Sequence, residues 1–147
     1  GDTAWTATGD RVQRLSSPAD LARMRSIAMR YRPLKERPAN LQIVRIDRVA
    51  DHDVYVARGR VDATTVRTLF FDVVTGLLRR ELTTTDTLLI PLQEQVDYGD
   101  YRDVDGLKMP FSVVTSDGAP YDTITRTFMQ IRRNVAVEEA LFRPPAQ

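Results

Sequence analysis

The sequence predicts an α+β fold that is mostly β: a strongly curved antiparallel meander of about seven strands wrapping one N-terminal helix. Three observations predict it. Thr75-Gly76 and Asp105-Gly106 each sit between runs of β-forming residues, the signature of hairpin turns. A capped amphipathic pattern over about 18–32 is the one clear long helical signal. Beyond residue 41 hairpin follows hairpin with no crossover-length helical stretch between strands, so neighbours run antiparallel.

Taken in order, Ala4 to Thr8 reads as a short strand closed by Gly9-Asp10, and Val12 to Leu15 as a second. Ser17 then offers a helix cap, Pro18 the first helical position, and Asp20 an acidic partner three residues past the cap. Leu21, Met24, Ile27, Ala28 and Tyr31 fall in one stripe, while Arg23, Ser26 and Arg30 lie opposite. Pro33 disfavours helix at Arg32 and ends the element.

Strands are expected at Leu41 to Val49 and Val54 to Val61 around the turn Ala50-Asp51-His52-Asp53. Val66 to Asp72 and Leu77 to Thr85 flank a loop in which Gly76 supplies positive φ. Val96 to Val104 and Leu107 to Thr115 flank Asp105-Gly106, and Tyr121 to Arg132 follows another turn. A last helical turn is expected at Glu138 to Phe142. Leu107, Met109, Phe111 and Val113 share one face of their strand by alternation. Pro110 has no N–H to give the ladder, so an edge or bulge is expected there. A single domain spanning 1–147 accommodates all of this, with the meander over about 41–133.

Composition narrows the function classes. Hydrophobic residues at 42% and charged residues at 28% are ordinary for a globular chain able to bury a core. The net charge of +1 gives no global field toward nucleic acid, although eight basic residues between Arg11 and Arg37 leave that stretch locally positive. Those arginines read as a solvated face, with anionic lipid head groups as the alternative. The chain has no cysteine, which excludes disulfides, thiolate metal sites and a cysteine nucleophile. No apolar run approaches the roughly 20 residues that span a bilayer. Gly1 directly precedes a strand-like segment, so the natural chain is expected to continue upstream with a signal or a further domain.

Chemistry-bearing motifs are sparse. His52 is the only histidine and reads as part of a solvated turn, since no second histidine completes a metal site. Asp97, Asp100, Asp103 and Asp105 invite a calcium reading, but in the EF-hand register Tyr101 and Ser112 occupy positions that need carboxylates. Cross-strand pairing explains them better. No Gly-x-Ser-x-Gly elbow or phosphate loop occurs. The chain is therefore expected not to be an enzyme and to carry no cofactor or metal. Leu88-Leu89-Ile90-Pro91-Leu92 is the oddest stretch: a flap over a greasy cavity, a membrane-dipping tip, or an irregular edge strand.

Phe71-Asp72-x-x-Thr75-Gly76-Leu77-Leu78-x-Arg80, followed by Val96-Asp97-Tyr98-x-Asp100-Tyr101-Arg102-x-Val104-Asp105-Gly106-x-Lys108-x-Pro110-Phe111, resembles the outer-membrane lipoprotein carrier and sorting family. Similar modules follow multi-haem cytochrome or protease domains in envelope proteins of soil bacteria. The resemblance implies an unclosed half-barrel around helix, with an apolar cavity that takes acyl chains. It implies a periplasmic or outer-membrane-associated location, with a lipid or lipidated protein as partner. The chain departs from the carriers in having only one clear long helix.

The expected role is a non-catalytic envelope module holding an apolar ligand, a lipid or lipoprotein acyl chain, on its concave face. Leu69, Phe71, Leu107, Met109, Phe111 and Phe128 are the expected lining, with Leu88, Leu89 and Ile90 as a flap. The alternative is a structural or interaction domain of a larger envelope protein, its interior filled by its own side chains. Strand-edge homodimerisation is a further expectation for an unclosed sheet.

Overall fold

The computed structural model describes residues 4–8, 11–18, 20–21, 40–117 and 123–138. The chain forms two compact units, one from Gly1–Arg37 with Asn134–Gln147, the other from Pro38–Arg133. In the first, β1 (Ala4–Thr8) pairs antiparallel with β2 (Arg11–Leu15), Trp5 lying opposite Arg14. The expected cap at Ser17 is made. Its hydroxyl oxygen accepts from the Asp20 N–H at 3.1 Å and donates to the Asp20 carboxylate at 2.6 Å, and the Leu21 N–H reaches the Ser17 carbonyl at 3.1 Å.

No complete helix stands among the described elements, where the sequence predicted one over 18–32, although Pro18, Asp20 and Leu21 are helical. Of that span only residues 18, 20 and 21 are described, so the stripe from Met24 to Tyr31 lies outside the described residues. The predicted turn at Glu138 to Phe142 lies outside them from residue 139 onward.

The second unit carries a seven-stranded antiparallel sheet in sequence order. Its strands are β3 (Gln42–Val49), β4 (His52–Arg60), β5 (Thr65–Asp72), β6 (Leu78–Thr85), β7 (Leu92–Val104), β8 (Leu107–Ser116) and β9 (Thr123–Thr127). It is a pure meander, and it does not close: β3 and β9 are its edges among the described residues. Three sequence boundaries shift. His52 and Asp53 belong to β4, because the loop is only Ala50-Asp51 and Val49 pairs directly with His52. β7 starts at Leu92, opposite Thr85 and immediately after Pro91, which cannot donate to a ladder. β9 is five residues long, shorter than the expected run from Tyr121 to Arg132.

β4 and β5 carry buried residues on both faces. Register places Val54, Val56, Phe70, Val49 and Leu82 on one face, where they form a contiguous cluster. Ala57, Leu69, Val96 and Phe111 are buried on the opposite face. Hence alternation breaks down locally, at Val54-Tyr55-Val56-Ala57 in β4 and Leu69-Phe70-Phe71 in β5, where apolar residues fall on both faces.

Turn chemistry fixes this register. Asp105 and Gly106 both take positive φ, 51° and 78°, the conformation a two-residue hairpin needs and an Asp-Gly pair readily adopts. Gly76 takes 69°, and its N–H closes on the Asp72 carbonyl at 2.8 Å. Ala50 holds φ 52° with a Cβ in place, a conformation that glycine would adopt without steric cost. Pro110 sits opposite Tyr101, at a point β9 does not reach, since β9 pairs with β8 only from Ser112 to Ser116. The expected open edge at the proline is therefore present on that side.

Ala50→Gly is expected to stabilise the protein by about 0.5–1 kcal/mol by relieving this strain. A rise of a few degrees in Tm checks it; an unchanged or lowered Tm contradicts it.

Candidate ligand-binding surface

The expected lining residues divide into two environments. Pairing runs Leu69 to Glu81 to Val96 to Thr115 across four strands, and paired residues share a face. By alternation from that row, Leu69, Phe71, Leu107, Met109 and Phe111 all lie on one face. Phe128 extends the same register, its N–H reaching the Phe111 carbonyl at 2.8 Å. The sequence thus put six residues from three parts of the chain on a common surface. Their burial differs, however. Leu69 is 0% exposed and Phe111 5%, while Phe71, Met109 and Phe128 are half-buried and Leu107 is exposed. The Arg102 guanidinium lies 4.5 Å from the centre of the Phe111 ring, covering it with a cation.

That face also holds a charge pair that sequence reasoning missed. Arg67 and Glu81 are almost wholly buried, with Arg67 Nε 3.0 Å from Glu81 Oε1. The Arg67 Nε–H itself is turned off hydrogen-bonding geometry. Glu81 sits opposite both Leu69 and Val96, so a carboxylate interrupts the apolar lining at its centre. A register shift between Phe70 and Phe71 is what turns Glu81 to this face. Counting back from the hairpin without that shift puts Arg80 there instead.

Leu88, Leu89 and Ile90 stand elsewhere, in the loop between β6 and β7, and are 105%, 91% and 65% exposed. Thr87 organises the loop: its hydroxyl donates to the Ile90 carbonyl at 2.7 Å and accepts from the Leu89 and Ile90 N–H groups at 3.3 Å. With two N–H groups and one carbonyl bonded to Thr87, the loop presents three large aliphatic side chains to water.

His52 is less solvated than its turn-like sequence implied. Its Nδ1 lies 2.7 Å from Asp72 Oδ2, and its Nε2 meets the Arg79 guanidinium. Both nitrogens are engaged, so neither is presented to a metal or a substrate proton. Asp72 itself is buried and accepts from the Val74 N–H (3.0 Å), the Thr75 N–H (2.7 Å) and the Thr75 hydroxyl (2.9 Å). These bonds, the Thr75 N–H foremost, hold its carboxyl below the usual carboxylate range.

The acidic cluster resolves into pairs: Asp97 with Arg80 at 2.5 Å, Asp100 with Arg102 at 2.5 Å, Asp103 with Lys108 at 3.7 Å. Each carboxylate faces a cation on its own or the adjoining strand. Asp105 serves the turn.

Two outcomes follow from these environments. Leu69→Ala should cost about 2–5 kcal/mol in urea unfolding, whereas Leu88→Ala should change stability by less than about 0.5 kcal/mol. Equal effects would show that Leu69 is not core. Because Asp72 has a depressed folded pKa, its contribution is full above the unfolded value and is lost as pH falls through the folded one. Asp72→Asn should therefore be less stable than wild type at neutral pH, with the gap narrowing below about pH 4. A gap independent of pH would contradict this role.

No family model, curated protein or solved structure matches the chain.

Proposed function

We propose that this chain is a non-catalytic binding module of a bacterial cell envelope that engages an apolar ligand, a lipid or lipoprotein acyl chain, through the Leu88-Leu89-Ile90 loop. One observation carries the reading: three consecutive aliphatic side chains stand in water on a loop whose own hydrogen bonds hold it in shape. Side chains of this size gain roughly 1.5–3 kcal/mol each on transfer out of water, so the loop has a strong drive toward an apolar partner. The half-buried Phe71, Met109 and Phe128 and the exposed Leu107 are the lining residues still open to a ligand. Leu69 and Phe111 act as core. The envelope location rests on the carrier likeness.

A second reading has its own support. Leu69 and Phe111 are covered without any guest, and the Arg67–Glu81 pair sits among them. These features favour an interaction domain of a larger envelope protein, with no small-molecule ligand.

Co-sedimentation with phosphatidylglycerol-containing vesicles, together with native mass spectrometry after incubation with phospholipid, separates the two. The first reading expects lipid association that falls at least tenfold in Leu89→Asp, with Tm unchanged because the residue is fully exposed. Absence of association by the wild-type protein, or full association by the variant, leaves the interaction-domain reading.

A further inference from the structure

We infer that β3 is a self-recognition edge, joining two copies of this chain into one continuous sheet about a two-fold axis at Ile46. The surface is independent of the Leu88-Leu89-Ile90 loop. β3 is exposed along almost its whole length, with Ile43 68% and Ile46 64% exposed, and among the described residues it pairs only with β4.

Backbone direction selects the pairing. Val49 and His52 close a two-residue hairpin, so that pair exchanges its hydrogen bonds, and alternation turns Asp47 and Arg45 toward β4 as well. The Asp53 carbonyl, which accepts from the Val73 N–H on the β5 side at 2.9 Å, agrees with this phase. Ile46 and Arg48 therefore aim their N–H and C=O groups at open solvent. A two-fold axis normal to the sheet keeps its faces aligned only when residues of the same face meet. Centred on Ile46, the ladder sets Ile46 against its own copy as a hydrogen-bonded pair and Arg48 against Val44.

This register alone joins opposite charges. Arg45 of each copy falls opposite Asp47 of the other, in the closer, non-hydrogen-bonded type of pair, twice over. A centre on Arg45, Asp47 or Arg48 sets like charges against each other instead. Within one chain Arg45 already clasps Asp47, Nε at 3.0 Å and Nη2 at 2.9 Å, so both groups are held on that face before a partner arrives. The other edge, β9, has the sequence TITRT and offers no such exchange. The register shift between Ile43 and Arg45 ends the regular ladder there, which keeps it short and the association weak.

Sedimentation velocity from micromolar to millimolar concentration tests the idea. Wild type should pass from monomer to dimer. Ile46→Pro removes an N–H that points outward and is not needed by β4, so the variant should stay folded and monomeric. Arg45→Asp and Asp47→Arg, each alone, should weaken the dimer at least tenfold, and the double variant should restore it. A wild-type protein that is monomeric throughout, a dimer that survives Ile46→Pro, or a double variant no better than the single ones would overturn the inference.

Discussion

Register is the constraint on which the rest of this structure depends. A strand alternates its side chains with period two, so a slip of one residue moves every apolar group to the other face. Here the phase is set at tight loops: Ala50-Asp51, the Gly76 loop and Asp105-Gly106. From them follow the Val54–Val56–Phe70 cluster on one face and Leu69 with Phe111 on the other. The common placement of the expected lining residues is a consequence of these turns rather than of any local preference of the residues themselves.

How far the sequence could be read follows from the same physics. Strand order and the Asp105-Gly106 and Thr75-Gly76 turns were legible, because turn residues declare themselves locally. The Ser17 cap was legible for the same reason. The Arg67–Glu81 pair was not, since it depends on one extra residue, Arg79, accommodated in β6 opposite Phe70-Phe71, and a bulge leaves no local mark in a run such as Leu78-Arg79-Arg80. His52 was misplaced by two residues' worth of loop. A four-residue turn rich in aspartate looks solvated, whereas a two-residue one delivers the imidazole to Asp72 and Arg79.

The apolar surface raises a question of placement that sequence patterning cannot answer. Alternation identifies which residues share a face, but not which of them remain in contact with water. Leu69 and Leu107 satisfy the same pattern; one is sealed and the other open. The most exposed aliphatic group, Leu88 to Ile90, lies off the sheet altogether.

Asp100 carries a consequence for mechanics. It takes φ 48° in the middle of β7, the longest strand, and the pairing on either side of it runs Gly99 to Ser112 and Tyr101 to Pro110. β6 pairs with β7 only as far as Asp97, and β9 leaves β8 at Ser112, so the ribbon beyond is two strands wide. The molecule thus has a limb with an elbow at its root. The Tyr101 hydroxyl, 2.5 Å from the Leu78 carbonyl, is the latch that holds the limb against its neighbour. The limb's departure from the wider sheet is therefore marked by one left-handed residue and spanned by one side-chain hydrogen bond to β6.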